Sequence, residues 1–322
     1  MPQLDLPLDR LLTYGGRNPK PTDFDAYWAR GLAEIAAIDP QVELVPADVQ
    51  PAGAECFYLT FTSTFGARVT AKYLRPKNTQ PGKQPLLLMF HGFTGNGGDF
   101  FDKLGWVAQG YCVAALDCRG QGGLSQDHGT LRTSPPNGHL TRGLSDENPD
   151  NLLYRQLYLD TAQLARVTMA FAEVDRTRVS ATGGSQGGGL TLACAGLVPE
   201  VKVAAAVFPF LCDWQRVWEM DLAKDAYQEL RDYFRRFDPL HAREAEIFTR
   251  LGYIDCQFLA ARIKAEVLMP VGLMDGICPP LTQFAAYNKI PGKKSYLIYL
   301  DYGHEGLPGL NDHLARFFFS RL

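Results

Sequence analysis

Six times between residues 86 and 301 the sequence falls into a short, unbroken apolar run: LLLMF (86–90), CVAALD (112–117), RVSATGG (178–184), VKVAAAVFPF (201–210), AEVLMPVGLMD (265–275) and SYLIYLD (295–301). A strand with one face in water alternates apolar and polar residues, whereas a run without alternation belongs to a strand covered on both faces. Such strands build parallel sheets, because the helix that connects parallel neighbours lies on a sheet face. The segments between the runs fit that role. Residues 151–173 form a long helical pattern with Leu152, Leu159, Ala162, Ala165 and Phe171 among its apolar positions. The fold class is therefore α/β, a mainly parallel sheet flanked by helices.

Two stretches depart from the alternation. Residues 1–40 read as an N-terminal helical arm. Thr22-Asp23-Phe24-Asp25 resembles a capping box with Asp in place of Glu or Gln, and Phe24, Tyr27, Trp28, Leu32 and Ile35 form the stripe of the helix behind it. The runs VELVPADV (42–49), ECFYLTFTS (55–63) and RVTAKYLRP (68–76) follow as antiparallel strands. Residues 211–262, charged and aromatic, read as an inserted helical cap. There, Tyr227, Leu230, Phe234 and Phe237 share a helical stripe within 223–237, and Asp238-Pro239 ends the helix. No repeat or linker interrupts the chain, so 1–322 reads as one domain.

Composition narrows the function. With 32 basic and 35 acidic residues the net charge is −3, which gives no electrostatic reason to expect nucleic acid or a membrane surface as partner. Seven scattered cysteines, an odd number, fit reduced thiols in a cytoplasmic setting better than a disulfide framework. The start MPQLDLPLDRLL lacks the basic and apolar regions of a signal peptide, and no apolar stretch is long enough to span a bilayer. Neither a dinucleotide fingerprint nor a Walker motif is present, and no His, Cys or acidic spacing matches a metal site, so no cofactor or metal is expected.

The chemistry concentrates at Gly183-Gly184-Ser185-Gln186-Gly187, a G-x-S-x-G sequence placed directly after RVSAT and before the helical run LTLACAGL. That is the context of a nucleophile elbow, where small neighbours let the chain turn sharply from strand to helix beneath an exposed serine. A serine needs a base. His241, His304 and His313 follow Ser185; His304 lies just past the last apolar run, in Asp301-Tyr302-Gly303-His304-Glu305-Gly306. The acid that orients the base is expected at Asp275, where AEVLMPVGLMD ends, with Asp213 and Asp301 as alternatives. Oxyanion donors are expected from the backbone amides of Gln186 and of Phe93, in the glycine-rich loop after LLLMF. His91 reads as an anchor for that loop, Arg119-Gly120-Gln121-Gly122 as a turn pinned by an arginine network, and Cys278 as a packing residue.

HGFTGNGGD (91–99), DCRGQGG (117–123), GGSQGGG (183–189), FPFLCDW (208–214), GLMDGICPP (272–280) and YGHEG (302–306) together resemble carbohydrate esterase family seven, the acetyl xylan esterases and cephalosporin C deacetylases. The resemblance implies an α/β-hydrolase fold and an intracellular serine esterase without cofactor. It implies acetyl removal from small substrates, chiefly acetylated xylo-oligosaccharides and cephalosporin C, and assembly as a hexamer. The family's serine, aspartate and histidine fall on Ser185, Asp275 and His304, and its oxyanion amides on Phe93 and Gln186. The family usually has tyrosine where this chain has Phe93; a backbone donor survives that change and a hydroxyl contact does not. A serine hydrolase of other specificity, a peptidase or lipid esterase, and a non-catalytic binding protein are the competing readings.

Overall fold

A computed structural model describes residues 4–77, 82–128 and 139–321; Met1–Gln3, the head of the proposed arm, lie outside them. The apolar runs become the centre of a sheet of nine strands among the described residues. These are β1 (Glu43–Pro46), β2 (Ala54–Thr62), β3 (Arg68–Pro76), β4 (Gln84–Phe90), β5 (Cys112–Leu116), β6 (Val174–Gly184), β7 (Val201–Val207), β8 (Glu266–Gly272) and β9 (Lys294–Tyr299). Their order is β1-β2-β3-β5-β4-β6-β7-β8-β9. β1, β2, β3 and β5 pair antiparallel, and β5, β4 and β6 to β9 run parallel. All five residues of β5 are buried, as its lack of alternation requires. The architecture is the α/β-hydrolase fold, a mostly parallel mixed sheet between helices.

Helix Leu153–Met169 is buried along nearly its whole length, and helix Gln186–Leu197 along all of it. The latter is apolar on every side because sheet and helices surround it. The chain leaves β4 for β5 on one side and later returns to place β6 on the other. This reversal opens a crevice beyond the carboxyl ends of β4 and β6, the usual ligand position in such sheets.

The N-terminal segment is sewn onto the 211–262 insertion. Helix Phe24–Ala37 buries Phe24, Tyr27, Trp28 and Ile35, and the Trp28 indole donates to the Tyr253 carbonyl. Asp213 accepts from the Tyr14 hydroxyl at 2.7 Å and from the Arg17 and Asn18 N–H groups at 2.9 and 2.8 Å. The expected capping box does not form. The helix starts one residue later, with Asp23 as N-cap, so Asp25 falls at N2 instead of N3; the Asp23 carboxylate makes no cap and accepts from the Tyr253 hydroxyl.

Two runs extend beyond their strands. β7 stops at Val207 and β8 at Gly272, whereas the apolar patterns continue to 210 and 275. Beyond β7, Phe208, Leu211 and Asp213 all have positive φ, which turns the chain off the sheet while its side chains stay buried or half-buried. In the insertion, positive φ at Asp225 breaks the expected 223–237 helix into the turn Asp225–Tyr227 and helix Gln228–Phe237; Phe237, its last residue, is exposed. No helix among the described residues is long and apolar enough to cross a membrane.

Candidate active site

The elbow follows from glycines that cannot be replaced. A Cβ on Gly183 would overlap the Phe90 carbonyl and the Gly187 backbone, and one on Gly187 would overlap Phe90 again. The end of β4 and the start of helix Gln186–Leu197 are therefore pressed together without side chains between them. Ser185 takes up the turn at φ 59° and ψ −120°. Its N–H donates to the Val207 carbonyl, and its carbonyl accepts from Phe210 and Gly189. The strained turn is thus held from the exit of β7.

His304 and Asp275 come from the ends of the next strands. The His304 Nε2 lies 2.9 Å from Ser185 Oγ, and Nδ1 lies 2.8 Å from Asp275 Oδ2. Asp275 is fully buried; its other oxygen accepts the N–H groups of Ile277 and Cys278 at 2.9 and 2.7 Å. An acceptor oxygen held in place by two backbone donors sets the imidazole so that Nδ1 is the donor and Nε2 faces the hydroxyl. Phe208 supports the ring from the side, its centroid 4.8 Å from that of His304.

The other candidates lie elsewhere. Asp213 is buried under the N-terminal segment and Asp301 is exposed in the turn after β9. His241 is exposed, bonded to Glu244 and stacked on Phe234. His313 lies half-buried in helix Leu310–Phe319.

The loop after β4 turns at Thr94, whose φ is 61°. Neither the Phe93 nor the Gln186 N–H is spent on an acceptor among the described residues. For Gln186 this follows from its place as the first residue of a helix. His91 anchors the loop: Nδ1–H donates to the Gly92 carbonyl at 2.7 Å and Nε2 accepts from the Cys118 N–H at 3.0 Å. Burial lowers the His91 pKa, which favours this neutral form.

Sequence reasoning missed the amide pair behind these donors. The Gln121 and Gln186 side chains exchange hydrogen bonds of 2.8 and 3.0 Å. Gln121 Oε1 also accepts from the Thr94 N–H, and Gln186 Oε1 from the buried Tyr154 hydroxyl. Loop, elbow and helix Leu153–Met169 are thereby locked in one network. Arg119, beside Gln121 in register of the turn, is buried against Asp160 with Nε at 2.7 Å and also bonds Thr64.

Cys278 is closer to the chemistry than a packing role suggests. It is buried; that burial, followed by the Asp275 charge, pushes its thiol well above the usual range. Asp275, Cys278 and His304 bring potential ligand atoms within 4.8 Å of one another, a grouping that sequence spacing conceals. The imidazole and the carboxylate in it are already bonded to each other, and the other imidazole nitrogen to Ser185, which suits proton transfer better than metal ligation.

A serine, a base and a buried acid in one hydrogen-bonded line, with two backbone N–H groups left without an acceptor in the neighbouring loop and helix start, can carry out nucleophilic acyl transfer. Comparison with known proteins points the same way. The family model described as acetyl xylan esterase (AXE1) matches residues 1–321. The chain is 27% identical over 285 residues to the acetyl esterase Axe7A of Xylanibacter ruminicola, covering 86% of this chain and 62% of that protein. Its structure matches acetyl xylan esterase 1 from Thermoanaerobacterium sp. JW/SL YS485 with a TM-score of 0.96 and 53% identity, over 98% of this chain and 99% of the other. The acetyl xylan esterase from Paenibacillus sp. R4 matches with a TM-score of 0.93 and 38% identity, over 98% and 100% of the two chains. An acylaminoacyl peptidase from Pyrococcus horikoshii, 17% identical with a TM-score of 0.63 over 84% of this chain and 42% of that one, shares the fold alone.

Proposed function

The chain belongs to the acetyl xylan esterase family, a family of carboxylic ester hydrolases. On that premise we propose that it removes acetyl groups from acetylated xylo-oligosaccharides and related small esters such as cephalosporin C, with Ser185, His304 and Asp275 as its catalytic triad. The observation that carries this reading is the line Asp275–His304–Ser185, joined by contacts of 2.8 and 2.9 Å.

In the proposed reaction His304 Nε2 takes the Ser185 proton as Oγ attacks the acetyl carbonyl. The Phe93 and Gln186 amides stabilise the oxyanion, and Asp275 stabilises the imidazolium. The intermediate expels the sugar alkoxide, which receives the proton from His304. Water then gives a proton to the same nitrogen, attacks the acetyl-enzyme, and releases acetate with return of the proton to Ser185. The proposal includes a hexameric assembly and a cytoplasmic location, in keeping with seven free cysteines.

The test is hydrolysis of 4-nitrophenyl esters of increasing chain length, together with labelling by a fluorophosphonate. The expected result is faster turnover of acetate than octanoate, with Ser185→Ala folded, unlabelled and inactive. Retention of most activity in Ser185→Ala removes the nucleophile; preference for octanoate removes the acetyl specificity.

A further inference from the structure

We propose that a cavity beside Phe93 is the leaving-group subsite and that its acidic lining favours neutral sugar esters over carboxylate-bearing ones. The proposal rests on the esterase reading above. The cavity measures about 380 Å³ and is lined by Phe93, Thr94, His139, Asp225, Gln228 and Glu229. Phe93 contributes its backbone N–H to the proposed oxyanion site and its side chain to this cavity. The cavity therefore adjoins the loop that carries the proposed oxyanion donor. An acetyl group fills little of such a volume, which is in the range of small-molecule sites; the alcohol part of the ester is the occupant it suits.

The lining has the chemistry of a sugar site. The Phe93 ring offers an apolar face for the C–H side of a pyranose, held edge-on by His139 at 5.8 Å and tilted against Phe210 at 6.0 Å. Asp225 is exposed, and its carboxylate makes no hydrogen bond among the described residues, so it can accept from a hydroxyl. The Gln228 amide, half-buried and bonded through Nε2 to Asp232, keeps its carbonyl available as a second acceptor. Glu229 works from behind. Its buried carboxylate accepts the N–H groups of His139, Leu140 and Thr141 at 2.9, 2.8 and 3.3 Å, which fixes the wall that carries His139.

The charge of this wall makes the selection. Asp225 and Glu229 are acidic, and no lysine or arginine is among the described residues lining the cavity; Lys224 is exposed beside it without taking part. A neutral xylo-oligosaccharide meets hydrogen-bond acceptors there. An anionic ester such as cephalosporin C brings a carboxylate towards a carboxylate, a repulsion that salt screens.

The experiment compares kcat/KM of wild type, Asp225→Asn and Gln228→Ala on an acetylated xylo-oligosaccharide, cephalosporin C and 4-nitrophenyl acetate. Asn tolerates the positive φ of residue 225, so the backbone is kept. Asp225→Asn should lower the sugar ester about tenfold, the worth of a charge-assisted hydrogen bond. It should raise cephalosporin C several-fold at low salt, and that gain should shrink in 0.5 M NaCl. Gln228→Ala should lower the sugar ester and leave cephalosporin C unchanged. The readout is the ratio of sugar ester to aryl ester within each protein, since 4-nitrophenol has no hydroxyl array for Asp225 and Gln228 to accept from. If wild type does not hydrolyse 4-nitrophenyl acetate, the esterase reading itself fails. If it does, and neither variant shifts the ratio of sugar ester to aryl ester, the subsite is elsewhere. A sugar-ester loss with no gain on cephalosporin C overturns the charge selection.

Discussion

Replacing Asp275 by Asn tests the proposed triad at the point where the structure is most explicit. One carboxylate oxygen accepts two backbone N–H groups, from Ile277 and Cys278, and the other faces His304 Nδ1. An asparagine has only one acceptor oxygen. Turned towards the two N–H donors, it keeps both of those hydrogen bonds and points its NH2 at His304. Turned the other way, it sets an NH2 against two buried donors, and two unmet groups at about 1–3 kcal/mol each make that orientation costly. The first orientation prevails, and it forces Nδ1 to accept. The imidazole proton then moves to Nε2, where it faces Ser185 Oγ, and the base is lost while the fold remains. The wrong tautomer costs on the order of 10⁴ in kcat in a serine-triad enzyme, which at 1.36 kcal/mol per factor of ten is roughly 5.4 kcal/mol of barrier. The assay is kcat/KM for 4-nitrophenyl acetate, with circular dichroism to confirm folding. Asp213→Asn serves as the control, since Asp213 bonds the N-terminal segment and not His304. A loss of less than tenfold in folded Asp275→Asn, or a larger loss of kcat in folded Asp213→Asn, would refute the reasoning.

Two further substitutions probe stability. Ser185 sits at φ 59° and ψ −120°, where a side chain costs about 1–3 kcal/mol. Ser185→Gly should therefore abolish activity and raise stability by about 1 kcal/mol after the entropic cost of glycine, or about 1–3 °C in Tm; a lower Tm by calorimetry would contradict strain at the elbow. Asp255 is buried, and that burial, followed by the nearby Asp213, raises its pKa from 3.8 to about 7. A folded-state pKa above the unfolded one gives stability that is complete below about pH 4 and is lost as pH rises through 7, at most about 4 kcal/mol over the window. The Tm of wild type should accordingly fall relative to Asp255→Asn between pH 5 and 8, and parallel profiles for the two proteins would show that Asp255 does not titrate there.

What the sequence reveals of this molecule divides by the range of the force involved. The strand-to-helix corner at Ser185 is legible because its cause is local: Gly183 and Gly187 are the residues that let β4, the corner and the following helix touch. The positions of Asp275 and His304 can be read because a parallel sheet sends each strand's end to the same edge. Interactions between distant segments leave no such mark. Nothing near Gln121 announces that its amide will pair with Gln186 and receive the Thr94 N–H, and nothing near Glu229 announces three N–H groups from 139–141. At the helix start near Thr22, the cap moves to Asp23, whose carboxylate is claimed by Tyr253, more than two hundred residues away. Strand ends are overread because apolar pattern reports burial, and Phe210 stays buried after positive φ at Phe208 has taken the chain off the sheet. The division has a consequence for specificity. The acyl-transfer geometry depends on local backbone devices that tolerate little change, whereas the cavity beside Phe93 is walled by a turn at Asp225 and a loop pinned by one carboxylate. Those two segments can be altered without touching the elbow, so they are where one catalytic framework can be retuned for different alcohols.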